Sequence, residues 1–594
     1  MRLSVILEQM TYTHERAIRA ITDLLSPLLA GEKLVIQEVP QGQPGNLAVP
    51  LFAYAKKQGQ APRATAEKLA KQLDLQHTLF SQVEAVGTGF LNFTFDPAVF
   101  AEQVFADFAR EGDHYGRPAA SKPERVVIDY SSPNIAKPMH VGHIRSTLIG
   151  DALARLYTFL GHHVIRQNHL GDWGTQFGEL IEQMIETGVS LEHDVSMEEV
   201  ETLYQTAKQR FDDDPDFQER ARQRVVKLQQ GDPDTRHYWE YLYKESLLAF
   251  DALYQRLGVL LTDEDLRGES TYNDQLPDTI AELKKKRLLT ESDGALCLFL
   301  RDYIDPATNQ PYRFDAPMII VKKDGASNYT TTDLATLRFS VTEDKATHLI
   351  YVVDVRQSDH FQMLFAAARL AGWLDKARAV HVAFGTILGE DKKPFKTRSG
   401  GTVKLVDVLD EAEKRARALV EEKIAARDET MDISEQGELA RMIGIGALKY
   451  ADLMNVRTQD YVFSWERMIS FEGNTAPYLQ YAVVRINSLL AKAGDQEGVP
   501  LPILLVNPHE QALLRGLAQF PDALARAATE YRPNYLTSYL FDLAQTFTAF
   551  YDAVPIIKSP SQELKIARLA LARFTSQVLS RGLDLLGIEV PKRM

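Results

Sequence analysis

The stretch that most constrains the fold of this chain runs from residue 126 to residue 150, VVIDYSSPNIAKPMHVGHIRSTLIG. Val126, Val127 and Ile128 open it as a buried strand, a polar loop follows, and a helical pattern starts at the HxGH sequence His140, Val141, Gly142, His143. Strand, loop and amphipathic helix in that order make the first half of a βαβ unit, which requires a parallel sheet to receive it. The two histidines, three residues apart, share one face at the helix start. Free backbone N–H groups and the positive end of the helix dipole favour phosphate there. Gly142 lets a ligand come close to the backbone. HxGH alone is a weak signal. On a strand–loop–helix it points to nucleotide binding.

At 594 residues the chain is long enough for roughly three or four domains. A hydrophobic content of 45% and a charged content of 25% are those of a globular protein. No apolar run is long enough to span a membrane, and the N-terminal MRLSVILEQMTYTHERAI reads as amphipathic rather than as a signal peptide. The single cysteine, Cys297, excludes an internal disulfide and a cysteine-cluster zinc site, and it lies in an apolar run as a packed thiol. These features predict a reducing, cytoplasmic compartment. The net charge of −14 argues against indiscriminate nucleic-acid binding, while leaving room for a local basic face that reads one structured RNA.

Residues 1–118 read as a small α/β module: a helix over 6–25 ended by Pro27, a strand over 34–39, a helix opened by Pro62, a strand over 83–95, and a helix over 98–110 started by Asp96-Pro97. It holds no catalytic constellation, so binding is expected of it, with a ligand-free stabilising cap as the alternative. A Pro- and Gly-containing linker, 116–123, leads to the opening strand. The HxGH helix is predicted to end at Leu160-Gly161, and the next strand, 164–168, runs into the loop Gly171-Asp172-Trp173-Gly174 and another helix. Two such loops at the carboxyl ends of neighbouring parallel strands form a ligand crevice. Residues 190–300 read as a charged helical insertion with a break at Pro215. The sheet is then predicted to resume at 318–321, 348–354 and 379–388, with turns at Lys323-Asp324-Gly325 and helix starts near Tyr329 and His360. The basic loop 392–401 precedes a helix over 406–424. From 437 onward the pattern is helical, over 440–453, 477–493, 510–531, 535–551 and 563–586.

Two of these parts serve one chemistry. An HxGH helix start can hold a triphosphate and donate to it as charge develops, and the Lys396-Thr397-Arg398-Ser399 stretch offers cations and hydroxyls for the β- and γ-phosphates. Adenylation of a carboxylate needs little more than its alignment with the α-phosphate and neutralisation of the pyrophosphate.

The combination resembles the class I aminoacyl-tRNA synthetases, and among them the arginyl-tRNA synthetases of the bacterial type. The matching text is GTGFLNF (87–93), SSPNIAKPMHVGHIRST (131–147), NHLGDWGTQFGEL (168–180), NYTTTDLA (328–335), YVVDVRQSDHFQ (351–362), FKTRSGGTVKL (395–405), NTAPYLQYA (474–482) and LLGIEVPKRM (585–594). These matches occur in the family's order and cover essentially the whole chain.

The resemblance implies arginine contacts from Asp129, Asn134, Tyr329, Asp333 and Gln357. That agrees with a guanidinium's need for planar carboxylate and amide acceptors, which would be left unpaired by lysine or citrulline. A helix N-cap remains the alternative for Asp333, and an Asx-turn for Asn134. It implies ATP contacts from Lys137, His140, Gly142, His143, Lys396 and Ser399, with His360 and the segment 385–388 toward the adenosine. Trp173 reads equally well as core packing. The catalytic set so implied is Lys137, His140, His143, Lys396 and Arg398. The sequence departs from the class at the loop usually written KMSKS, which reads FKTRS over 395–399, with Arg398 in place of the second lysine. In the family a lysine just upstream of HxGH compensates, and Lys137 holds that position. Tyr478, Tyr481 and Arg485, at i, i+3 and i+7 of one helix, present an anticodon-stacking face, with packing of the tyrosines as the alternative. Between 565 and 594 the basic residues Lys565, Arg568, Arg573, Arg581, Lys592 and Arg593 outnumber Asp584 and Glu589 and read as a local basic patch or a solvated helix face.

The expected architecture is multidomain α/β: a class I Rossmann-like parallel-sheet catalytic domain, an α/β N-terminal module and an all-α C-terminal anticodon-binding domain. The expected divisions are 1–118, gripping the tRNA elbow near the D-loop; 119–189, with HxGH; 190–300, a connective insertion without an editing site; 301–405, with the KMSKS-like loop; 406–465, a helical stem-contact region; and 466–594, the anticodon domain. The activity implied is arginine–tRNA ligation with L-arginine, ATP and tRNA(Arg) as partners, Mg2+ accompanying the ATP, no resident cofactor or metal, and tRNA required before activation. A cytoplasmic monomer is expected. The alternatives are another HxGH nucleotidyltransferase, usually much shorter, and a non-catalytic RNA-binding paralogue, against which the intact HxGH, Asp129 and Asp333 speak.

Overall fold

The computed structural model describes residues 12–29, 32, 34–40, 42–118, 122–191, 197–301, 303–305, 310–311, 314, 316–323, 325–393, 395, 403–427, 430–494 and 505–594. The positions of Lys396, Thr397, Arg398 and Ser399, and of the first residues of the N-terminal helix, lie outside them.

Four parallel strands stand at the centre, in the order Arg378–His381, His348–Tyr351, Arg125–Asp129, His163–Gln167. The two earlier strands lie side by side on one half of the sheet and the two later strands on the other, which places a switch point between Arg125–Asp129 and His348–Tyr351: one connection leaves toward each edge, and the carboxyl ends part to leave a crevice. Asp129 sits at that end, opposite Tyr351 on one side and Gln167 on the other. All four residues of His348–Tyr351 are buried, as a strand covered by helices on both faces requires.

The HxGH helix, Val141–Phe159, covers one face. Gly150 is what lets it settle there, because a Cβ at Gly150 would lie 2.2 Å from the Tyr130 side chain. The helix is also clamped from outside. Arg145 and Asp452, each 1% exposed, pair at 2.9 Å, and Arg145 further donates to the carbonyls of Gly385 and Gln459.

Several predicted elements differ from those observed. Met318–Val321 does not join the parallel sheet. It pairs antiparallel with Ala295–Leu298, which pairs with Leu289–Ser292. An apolar run of four residues reads equally well as a doubly covered strand, yet here Ile319 is exposed between buried Met318 and Ile320, the one-sided burial of an antiparallel sheet. The predicted strand at 83–95 is a hairpin, Phe80–Val86 with Phe90–Phe95, turned at Gly87 with φ 58°. Of 34–39 only Gln37–Glu38 pairs. The last predicted strand is two pieces: Arg378–His381 in the main sheet, and Ile387–Leu388, which pairs with Tyr461–Val462. The helix expected over 510–531 is Pro508–Ala518 and Phe520–Thr529, because Pro521 opens a second helix rather than continuing the first. Where proline marked an expected start or break, at Pro97 and Pro215, the ends agree. Asp96, Asp214 and Asp232 each cap a helix that starts with proline, at Pro97–Glu111, Pro215–Gln230 and Pro233–Leu257.

Candidate active site

The loop between Asp129 and the HxGH helix is held in an unusual backbone. Ser131, Ser132 and Ala136 all have positive φ, at 73°, 50° and 60°. Such strain persists only when the surroundings over-determine it. Here Ser131 N–H donates to Ser146 Oγ, Ser132 N–H to Asn168 Oδ1 and Ala136 N–H to Ser246 Oγ, at 2.8–3.0 Å. Asn134 bridges to Gly171 of the second loop, and a Cβ at Gly171 would lie 1.9 Å from Asn134 Oδ1.

At the helix start the histidines cap each other's backbone. His140 Nδ1 accepts Gly142 N–H at 3.0 Å, and His143 Nδ1 accepts His140 N–H at 3.0 Å, with the rings 3.9 Å apart. A side chain at position 142 would meet the His140 ring at 2.7 Å, which is why the motif needs glycine there. With both Nδ1 atoms accepting, each neutral ring carries its proton on Nε2 and can donate from it to a ligand. Burial, with Arg356 and Lys137 nearby, lowers the His140 pKa, and burial beside His140 lowers that of His143 to about 3. Both rings are therefore neutral donors at pH 7. Of the N–H groups expected to meet phosphate, those of His140 and Gly142 are thus taken up by the imidazole Nδ1 atoms.

The flanks of the basic loop reach this point. His140 pairs antiparallel with Lys404, Val141 N–H donates to Val403 O and Leu405 N–H to Met139 O, both at 2.9 Å. On the other flank Phe395 N–H donates to Ile387 O at 3.1 Å, and its ring meets Phe463.

Across the crevice an acidic pocket surrounds the end of the central strand. Asp129 accepts from Ser132 Oγ at 2.9 Å and Gln167 Nε2 at 3.0 Å. Burial pushes its pKa up, and the field of Asp333 adds to this. Asp333 accepts from His360 Nε2 at 2.6 Å, and the His360 ring lies 5.4 Å from that of Tyr329, which is 64% exposed. Asn328 caps this helix, Tyr329–Thr342, so the N-cap alternative for Asp333 falls. His360, predicted for the adenosine, thus shares its Nε2 with Asp333. Gln357 is exposed at the start of the helix Ser358–Leu370. Asn134 is likewise exposed.

Two residues here escaped the sequence reading. Both ring nitrogens of His169 are buried without a hydrogen-bond partner, within the fields of Asp129, Asp172 and Glu269. Burial, with Asp333 and Asp172 nearby, pushes Glu269 up to about 7. Residues 265–269 reach the crevice by lying along 168–170: Asn168 N–H donates to Asp265 O, Arg267 N–H to Asn168 O and Glu269 N–H to Leu170 O. Gly268 allows it, since a Cβ there would lie 2.1 Å from Asp172 Oδ2. Trp173 is half-buried, edge-on to Trp239, whose Nε1 donates to Asp172 O at 2.9 Å.

The crevice thus offers neutral imidazole donors at one end and a carboxylate cluster able to hold a planar cation at the other.

In the helical C-terminal part Tyr478 packs on Phe541, Arg485 stacks over Tyr551 at 4.0 Å, and Tyr481 is 37% exposed. Tyr481, Phe471, Met431, Ile443 and Met594 line a cavity of about 260 Å³. Three of the six cations of the predicted basic patch are held in ion pairs: Arg568 is buried against Glu510 at 2.7 Å, Arg581 binds Asp584 and Arg593 binds Glu435.

Three family models match the chain: class I tRNA synthetases (R), catalytic domain, over 107–465; DALR anticodon binding domain, over 479–594; and arginyl-tRNA synthetase N-terminal domain, over 14–95. The arginine–tRNA ligase of Laribacter hongkongensis is 45% identical over 588 residues, covering 97% of this chain and 100% of its own. Among solved structures, arginyl-tRNA synthetase of Plasmodium falciparum superposes with a TM-score of 0.80 at 27% identity, covering 96% of this chain and 97% of its own. That of Thermus thermophilus gives 0.77 at 28%, covering 97% and 99%. With its parallel-sheet catalytic domain, N-terminal module and helical anticodon-binding domain, the chain belongs to the class I arginyl-tRNA synthetases.

Proposed function

We propose that this protein is an arginine–tRNA ligase whose single crevice holds arginine at the strand end and ATP at the helix end. The arginine carboxylate attacks the α-phosphorus of ATP, the bond to the β-phosphate oxygen breaks, and pyrophosphate leaves. The 3′-terminal adenosine hydroxyl of tRNA(Arg) then attacks the activated carbonyl and AMP leaves. The observation that carries this reading is the division of one short segment between a carboxylate acceptor and a pair of imidazole donors: Asp129 ends the strand, and the paired His140 and His143 open the following helix.

In this reading Asp129, Asp333 and Glu269 bind the guanidinium, while Asn134, Tyr329 and Gln357 fix the rest of the amino acid. His140 and His143 donate from Nε2 to the triphosphate as negative charge moves onto the departing pyrophosphate, a preorganised contact that need not reorganise during reaction. Gly142 leaves the helix start open to a phosphate. Lys137, Lys396, Arg398 and Ser399 supply further cations and a hydroxyl, and Mg2+ belongs to the nucleotide substrate. Tyr481, with Tyr478 and Arg485 behind it, faces the anticodon. The N-terminal module grips the tRNA elbow, activation waits for tRNA, and the enzyme works as a cytoplasmic monomer.

The test is arginylation of a tRNA(Arg) transcript by the purified chain, with and without ATP. ATP-dependent charging with arginine but not with lysine or citrulline is expected. Failure to charge any bacterial arginine tRNA overturns the assignment.

A further inference from the structure

Two lysines flank the paired histidines, and one helix of the insertion touches both. Lys404, which pairs through its backbone with His140, places Nζ 3.1 Å from Glu201 Oε2 and 3.5 Å from Glu198 Oε1. Lys137 places Nζ 4.4 Å from the centre of the Tyr204 ring. Glu198, Glu201 and Tyr204 recur every three residues on the helix Met197–Asp213, so they form one stripe facing the HxGH end of the crevice.

The two grips differ in kind. A carboxylate pair neutralises Lys404 and competes with any phosphate for it. An aromatic face attracts an ammonium without cancelling its charge or using its N–H groups. Among the described residues Lys137 has no carboxylate within ion-pair distance. Its charge is felt at His140 and, across the loop, at buried Glu179. The ring therefore holds an uncommitted cation within electrostatic reach of the imidazole donors, while the same helix removes the competing lysine.

We propose that Tyr204 is a positioning residue for Lys137, pre-setting its ammonium for the triphosphate of ATP. The proposal rests on the reading of the HxGH end as the phosphate site. It assigns to the insertion a role in activation: movement of the helix Met197–Asp213 would change the cation offered to the nucleotide without touching the nucleotide itself.

The experiment is steady-state arginylation by the full chain and its Y204F, Y204L, K137A and K137A/Y204L variants, with the thermal unfolding midpoint of each as a check on folding. Y204L is expected to lower kcat/KM for ATP about fivefold and leave KM for arginine unchanged, as loss of one cation–π contact would. Y204F keeps the ring and should stay within about twofold of wild type. The double variant should be no worse than K137A alone, because Tyr204 acts only through Lys137. Wild-type rates in Y204L, or losses that multiply in the double variant, overturn the proposal. If the wild type charges no tRNA, the reading of the site itself falls. The lysine holder is then read from ATP affinity by calorimetry, where Y204L must still weaken binding and the double variant must match K137A.

Discussion

Glu269 shows how one half-buried group can tie substrate binding to pH. Its carboxyl is pushed up to about 7 by burial, with Asp333 and Asp172 nearby. Because the folded value lies above the ordinary 4.5, the ligand-free protein loses stability from this group as pH rises from about 4.5 through 7. An arriving guanidinium reverses the balance by favouring the ionised form. Arginine binding should therefore strengthen as pH rises through about 7, with KM for arginine about tenfold lower at pH 8 than at pH 6. Glu269→Gln should raise that KM and flatten its pH dependence. An unchanged profile in the variant would remove Glu269 from the arginine site. His143 contributes nothing to this limb, since burial beside His140 lowers its pKa to about 3, and burial shifts His140 downward as well. Neither Glu269 nor His169 was legible in the sequence as a site residue. Glu269 carries no local motif, and its approach depends on backbone bonds between segments about a hundred residues apart. That Asp129, Asn134, His140 and His143 stand close together, by contrast, was legible because one short segment holds them all.

At the level of elements, the strand-to-helix turn works because glycines permit close contacts that side chains would forbid. Gly142 makes room for the His140 ring, Gly171 for Asn134 and Gly150 for Tyr130. Gly150→Ala would push a Cβ to within 2.2 Å of the Tyr130 side chain, against a helix pinned on its other side by the buried Arg145–Asp452 pair. Overpacking of this kind should cost about 1–3 kcal/mol, read as a lowered urea midpoint. A midpoint equal to wild type would mean that the helix is free to shift, contrary to its clamped position. The helix ends marked by Asp96-Pro97 and by Leu160-Gly161 were legible to within a residue or two, because caps act locally. The sheet partner of Met318–Val321 was not, because pairing is decided by distant residues, and a four-residue apolar run carries no mark of it.

Across the whole molecule the parts are joined by buried contacts. The N-terminal module docks on the C-terminal helices through Phe108, stacked on Phe574 at 3.7 Å, and Tyr115 OH, which donates to Leu517 O. His14 lies between Glu38 and Asp522. Burial works to lower its pKa, but the two carboxylates raise it to about 9, so it is a cation in that joint at neutral pH. The catalytic domain meets the same helices through Tyr157 OH to Ala528 O at 3.1 Å and His348 Nε2 to Tyr531 OH at 3.0 Å. The N-terminal module and the catalytic domain thus both pack against the C-terminal helices, away from the Asp129 end of the crevice. The central claim, that the crevice is divided between arginine at Asp129 and ATP at His140, is tested most directly by the KM values of D129N and H140N for arginine, ATP and tRNA. Asparagine at 140 can still cap the helix, so folding is preserved while the imidazole donor is lost. D129N is predicted to raise KM for arginine alone, and H140N to lower kcat and weaken ATP alone, with KM for tRNA unmoved in both. A D129N variant that weakens ATP or tRNA as much as arginine, or an H140N variant that retains the wild-type rate, would contradict it.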